Sequence, residues 1–183
     1  MGFIRTVLTR TRFVFLWVLE ESHFVVTTLT ALAILYTRSS AVAYFAAGAV
    51  VCSRIVKLMK LVLRQPRPLN PLPGKQKIDY GMPSTHSGVI SFYIGYTLLA
   101  CKYLPIHHSL PDSHLTRVIA PLIIFPWAVS VMASRIWLGH HTWPQVSIGC
   151  SIGLAFSPVW FWLWTHVGQT YGAHYEQLIF GQS

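Results

Sequence analysis

Five times along this chain an apolar stretch approaches the length of a bilayer-crossing helix: about 22–37, 41–63, 87–104, 118–134 and 146–166. A helix that spans hydrocarbon needs about 20 mostly apolar residues. Hydrophobic residues make up 53% of the 183 and charged residues 10%, whereas a soluble domain carries roughly 25% charged residues. A chain this small cannot hide so much apolar surface from water, and a bilayer removes the need. The expected fold is all-α, a polytopic membrane helical bundle with about five transmembrane helices, forming a single domain over 1–183. The first stretch is short and polar for a span, because of Thr27, Thr28 and Thr30. Ahead of it, Arg5, Arg10 and Arg12 precede an apolar run from Phe13 to Leu19 that ends in Glu20 and Glu21. No small-residue cleavage site follows that run, so it reads as an N-terminal interfacial helix lying on the membrane.

The charge is lopsided. Lys and Arg number 14 against 5 acids, a net charge of +9, which favours polyanionic partners. Nucleic acid fits poorly, since the basic residues alternate with apolar runs and form no exposed stripe. Lipid phosphate at a membrane fits better. The acids Glu20, Glu21, Asp79, Asp112 and Glu176 are scattered, so a carboxylate-built Mg²⁺ or two-metal site is not expected. His107, His108, Asp112 and His114 share a polar loop at about 105–117, but without a helical i, i+4 pair or a Cys it reads as a solvated loop and not a zinc site. Cys52, Cys101 and Cys150 lie in apolar stretches without CxxC spacing and read as small hydrophobes. No internal repeat or low-complexity segment occurs.

Basic residues end the second stretch. Arg54, Lys57, Lys60, Arg64 and Arg67 follow at steps of 3, 3, 4 and 3, which at about 100° per residue covers about 140° of one helical face. Two readings stand for Arg54, Lys57 and Arg64: a snorkelling basic rim or a cationic wall facing a phosphate. Pro66 and Pro68 are expected to close the helix. If the second span ends on one side of the membrane, the third starts there and the fourth returns there. Loop 64–82 and segment 134–145 then share a face.

Three motifs fall on that face. Lys60 is followed after six residues by Arg67-Pro68; Pro83-Ser84-Thr85-His86 opens the third span; and Ser134-Arg135 precedes His141 by five intervening residues. In this order they resemble the type 2 phosphatidic acid phosphatase/haloperoxidase superfamily, whose pattern is K-x6-R-P, P-S-G-H and S-R-x5-H-x3-D, and the resemblance covers about 41–166. The chemistry of the residues agrees with it. A transferring phosphoryl group spreads charge over three oxygens, and Lys60, Arg67 and Arg135 offer cationic donors, with Arg suited to bidentate contact. Ser84 and the backbone N–H groups near Thr85 lie at a helix N-terminus, which attracts anions.

The resemblance implies that His141 is the nucleophile and takes the phosphoryl group, that His86 protonates the leaving oxygen and then activates water, and that Lys60, Arg67, Ser84, Thr85 and Arg135 bind phosphate. No metal or cofactor is implied. His140 misses the spacing by one residue and reads as a non-catalytic neighbour. Gln145 stands where the pattern has Asp. Either its carbonyl oxygen orients His141 without adding charge, or Glu20 or Glu21 reaches in from the same side. Thr85 stands in place of Gly.

The strings Gln65-Pro-Arg-Pro68, Tyr80-Gly-Met-Pro-Ser-Thr-His-Ser87 and Ser134 through Val146 look most like the dolichyl diphosphate phosphatase branch, in which Gln commonly replaces that Asp. Gly88 departs from that branch, and the chain is shorter than expected for it. The implied activity is hydrolysis of dolichyl diphosphate to dolichyl phosphate in the endoplasmic reticulum membrane, in support of protein N-glycosylation. Alternatives are a broad lipid phosphate phosphatase acting on phosphatidate or diacylglycerol diphosphate, and a non-catalytic membrane protein on the same fold. The expected partners are the lipid substrate and the membrane, with no motif that requires a protein partner. Orientation has two answers: the excess of Lys and Arg on the motif-bearing side, against Arg38, Lys102 and Arg117 opposite, points to the cytosol, while the dolichyl-type resemblance points to the lumen, which we favour slightly.

Overall fold

A computed structural model describes residues 14–69, 79–107 and 109–180. Helices occupy all five predicted intervals. They are α2 (Ser22–Thr37), α3 (Ser40–Leu63), α4 (Thr85–Tyr103), α5 (His114–Trp137) and α6 (Trp143–Leu163). A short helix α1 (Val14–Glu20) precedes them, bent by 71° from α2. A π-helical turn at Trp164–Gly168 leads from α6 into α7 (Gln169–Phe180). The chain is an all-helical membrane bundle. Of the predicted interfacial segment, 14–19 fall in α1, while Phe13 and the preceding Arg5, Arg10 and Arg12 lie outside the described residues, as do 70–78 of the proline-rich loop and His108.

Among the described residues, α5 and the continuous run Trp143–Leu178 are long and apolar enough to cross a membrane alone, and the bent α1–α2 pair makes a third if counted as one span. This measure rests on length and composition alone and leaves the exact number of spans open. α3 carries Arg54, Lys57 and Lys60 in its second half, while α4 builds the inside of the bundle. α4 packs against α6, α5 and α3 and buries Ser87, Gly88, Ser91, Tyr93 and Tyr96. A helix surrounded by protein has no need of a lipid-compatible surface. α5 shows the opposite pattern, with Leu115, Leu122, Ile123 and Phe125 exposed, as lipid-facing residues are.

The α4–α6 contact is the most extensive in the bundle, and small residues bring the backbones together as in other membrane helix pairs. A Cβ on Gly149 would lie 2.5 Å from the Ser84 carbonyl oxygen, and one on Gly95 would lie 2.5 Å from Ser157 Oγ. Beside this seam, Phe45, Phe92, Tyr93, Tyr96 and Phe161 form an aromatic core with ring centroids 4.6–6.3 Å apart. α2 sits at the rim, pinned by the Thr30 hydroxyl 2.9 Å from Tyr93 OH. The threonine that made this stretch look polar thus faces a partner helix.

α3 ends earlier than its charge pattern implies. It stops at Leu63, and Arg64 turns left-handed (φ 48°), with its N–H on the Lys60 carbonyl. Gln65 precedes Pro66, which disfavours helical backbone there. Arg67 therefore does not extend the helical face of Lys60. It lies on a non-helical segment beyond the turn, and its side chain reaches back into the site by another route.

Candidate active site

Loop 64–82 and the α5–α6 connection meet at one end of the bundle. The Gly81 N–H donates to the Gln65 carbonyl (2.8 Å) and the Ser84 N–H to the Gln145 carbonyl (3.0 Å). Lys60 Nζ donates to the Tyr80 carbonyl at 3.1 Å. The end of α5 sets the histidines: Gly139 takes φ 68°, a conformation glycine adopts without strain, and the N–H groups of His140 and His141 both donate to the Arg135 carbonyl (3.0 and 3.1 Å). Five residues between Arg135 and His141 is the spacing of this turn.

His141 is 4% exposed, and its neighbours define its tautomer. Gln145 Nε2 donates to the Pro66 carbonyl (3.0 Å) and Gln65 Oε1 (3.2 Å). Its Oε1 accepts from the Thr142 N–H (3.2 Å) and so faces His141 Nδ1, also at 3.2 Å. The carbonyl end of an amide only accepts, so Nδ1 carries the proton and Nε2 keeps its lone pair. Gln145 is held there by local chemistry: Thr142 and Gln145 stand at the N-cap and third position of α6 in a capping-box arrangement, with Pro144 in the first turn. A Cβ on Gly81 would lie 2.7 Å from Gln145 Nε2, so glycine there lets the loop lie against the amide.

Arg67 faces Nε2. Its Nη1 donates to the His140 carbonyl at 2.9 Å and lies 2.9 Å from His141 Nε2. Its Nε and Nη2 clamp Asp79 at 2.7 and 2.8 Å, and Lys60 Nζ is 3.5 Å from the same carboxylate. Burial, then the charges of Arg67 and Lys60, hold the His141 pKa down at about 3, against opposing hydrogen bonds to Gln145 and the Gly81 backbone. The imidazole is neutral at physiological pH. Asp79, bonded to Arg67, is lowered to about 2.

The remaining predicted residues divide. Lys60, Arg67, Thr85, His86, Arg135 and His141 line one cavity of about 690 Å³, which Arg54 and Lys57 also line. Arg64 turns away and donates to the Leu61 carbonyl (2.9 Å). Ser84 differs from expectation: it is fully buried, and its hydroxyl caps α4, accepting from the Ser87 N–H (3.4 Å) and hydroxyl (3.0 Å). Arg135 lines the cavity, but its guanidinium donates to the Leu19 carbonyl of α1, to the Glu20 carbonyl (3.5 Å) and to Ser134 Oγ. Glu20 lies 3.6 Å from His140 Nε2, so the acid considered as a partner for His141 faces its neighbour instead. His23 of α2 stacks edge-on to His86 with centroids 6.0 Å apart.

Sequence reasoning missed Asp79, Gly81 and His23. Asp79 had a visible signal, as the sole acid between Lys60 and His86. The capping box at Thr142 and Gln145 was also readable. Among the described residues no group of three His, Cys, Asp or Glu gathers around a common point. Beyond the polar end, the cavity continues along α2 and α3 past Val26, Ala31, Ile34, Ala46 and Val50, giving a cationic head and an apolar arm.

Known proteins resemble this chain in sequence and in fold. Residues 39–168 match the sequence profile of the PAP2 superfamily. Lipid phosphate phosphatase gamma of Arabidopsis thaliana is 29% identical over 76% of this chain and 60% of its own. Dolichyldiphosphatase 1 of Rhinolophus ferrumequinum is 31% identical, and that of Homo sapiens 30%, each over 70% of this chain and 55% of its own. The chain thus spans somewhat over half the length of these relatives. The fold resembles the crystal structure of a transmembrane PAP2 type phosphatidylglycerolphosphate phosphatase from Bacillus subtilis, with a TM-score of 0.61 and 20% identity over 81% of this chain and 71% of that one.

Proposed function

This chain belongs to the PAP2 superfamily, and from that premise we propose that it is a membrane phosphatase that hydrolyses dolichyl diphosphate to dolichyl phosphate and phosphate through a phosphohistidine on His141. One observation carries the reading: a buried, neutral His141 has Nδ1 tied to Gln145 and the Nε2 lone pair turned toward Arg67 in a cationic pocket. A phosphate drawn to Arg67 and Lys60 meets that lone pair.

In the proposed reaction Nε2 attacks the terminal phosphorus and the bond to the bridging oxygen breaks. The leaving oxygen departs as dolichyl phosphate, with His86 giving it a proton when one is needed. His86 then takes a proton from water, the oxygen attacks the phosphohistidine, and the P–N bond breaks to release inorganic phosphate and restore His141. Lys60 and Arg67 hold the equatorial oxygens, Thr85 and the start of α4 add donors, and Gln145 orients the imidazole. Arg135 is assigned to the phosphate end of the cavity, where it also holds α1. Ser84 serves by fixing the first turn of α4. No step calls for a metal.

The polyisoprenyl tail is supported by the dolichyldiphosphatase relatives, and the apolar arm of the cavity suits any long chain. The match to lipid phosphate phosphatase gamma over 76% of the chain favours a second reading, a broad lipid phosphate phosphatase. The dolichyldiphosphatase relatives support an endoplasmic reticulum membrane; a lumenal site whose product returns to N-glycosylation is our own slight preference, taken from the dolichyl-type motifs. Phosphate release by the purified protein from dolichyl diphosphate and from phosphatidate, with and without chelator, tests the proposal. We expect preference for dolichyl diphosphate, indifference to chelator, and a loss of more than about 10³-fold in His141→Ala. Release that survives in His141→Ala refutes the phosphohistidine, and preference for phosphatidate selects the second reading.

A further inference from the structure

Asp79 occupies the donors that the proposed reaction assigns to phosphate. It receives two bonds from Arg67, at 2.7 and 2.8 Å, in the fork geometry arginine also offers to phosphate, and Lys60 Nζ approaches to 3.5 Å. The partners differ in depth: the Arg67 and Lys60 side chains are 8% and 9% exposed, and that of Asp79 is 56% exposed. The cations are fixed in the pocket, while the carboxylate sits at its mouth. Lowered to about 2 by its bond to Arg67, it remains ionised at any working pH. The same guanidinium that holds Asp79 also lies on His141 Nε2, so the resting pocket has its cations and its nucleophile both engaged.

We propose that Asp79 is an intramolecular competitor of phosphate, holding Arg67 and Lys60 while the site is empty and returning to them to expel inorganic phosphate after hydrolysis. The inference rests on the reading that Arg67 and Lys60 bind the substrate's phosphate. A buried cationic pocket open to its own product is liable to stay occupied by it. A tethered carboxylate acts at a high effective concentration, on the order of millimolar for a short flexible connection, so a ligand using the same donors binds more weakly by the factor with which Asp79 fills them. Because the competitor is the same for every such ligand, that factor is the same for each.

Calorimetric titration of the purified full chain with inorganic phosphate, and separately with orthovanadate, tests this without catalysis. Asp79→Asn keeps the size of the side chain and removes its charge, and both anions should then bind more tightly by about fivefold. Asp79→Ser, which also lacks the charge, should shift affinity in the same direction. Weaker or unaltered binding in the two variants overturns the proposal, weaker binding meaning that Asp79 positions the cations for the ligand. Phosphate that binds wild-type and Arg67→Ala proteins equally well lies elsewhere, which defeats the premise. Phosphate binding that tightens in Asp79→Asn, in a protein that hydrolyses no lipid phosphate, defeats the proposed reaction and leaves this inference standing.

Discussion

At the scale of the residue, the partner of the proposed nucleophile is an amide where the family pattern has a carboxylate, and its surroundings show why an amide suits this chain. Gln145 donates to the Pro66 carbonyl and to Gln65 while accepting from Thr142 and His141. A carboxylate at that position would set oxygens against oxygens at two of the four contacts. An uncharged partner also leaves the His141 pKa low, at about 3 against an ordinary 6.5. The sign of the stability effect follows. Between those values the unfolded chain binds a proton that the fold refuses, so stability falls as pH falls from about 6.5 toward about 3. His141 accounts for up to about 1.4 kcal/mol per pH unit within that window. Melting of the detergent-solubilised protein from neutral pH down to about pH 4 should show a drop that is smaller in His141→Gln; equal drops would mean that His141 is not held neutral. Lys60, Arg67 and His141 were legible through their resemblance to the family pattern, which their three motifs match in order. Asp79 was visible only as the sole acid between Lys60 and His86; its pairing with Arg67 depends on a tertiary contact that no local pattern records.

At the scale of the element, the bundle keeps its seam narrow so that the site can form. The Ser84 carbonyl, at the start of α4, is the nearest atom to a Cβ built on Gly149 of α6, at 2.5 Å, with the Ser87 Cβ at 3.2 Å and the Gly88 nitrogen at 3.3 Å. Both partners belong to the site, since α4 begins with Thr85 and His86 and α6 carries Gln145 in its first turn. Gly149→Ala must therefore push the two helix starts apart. Overpacking of this kind costs about 1–3 kcal/mol, and we expect a lowered melting temperature together with lost turnover. An Ala variant as stable and active as the wild type would show that the seam has slack. Helix positions were readable from apolar runs, since each run must be buried in lipid or protein. The apolar stretch ended at about 63, as α3 does, but the departure of Arg67 from the helical face was not readable, because the helical spacing of the basic residues continues through Arg64 and Arg67. Periodicity records which residues share a face; it does not record where the face ends.

At the scale of the whole molecule, the antiparallel course of α3 to α6 gathers Lys60, Arg67, His86 and His141 at one end and leaves Arg38, Lys102 and Arg117 at the other. Charge alone would put the richer end in the cytosol. That rule describes cations left free to interact with the cytoplasmic surface, and three here are already committed: Lys60 and Arg67 to Asp79, and Arg135 to α1. Discounting those three still leaves more Lys and Arg on the motif-bearing side than on the other, so the charge tally is weakened without being reversed, and the lumenal placement stays a proposal to be tested. Two epitope tags separate the alternatives, one in loop 64–82 and one in the connection between α4 and α5. In sealed endoplasmic reticulum vesicles, added protease should spare the first and destroy the second. The reverse pattern would put the site in the cytosol, and with it a substrate pool on the opposite leaflet.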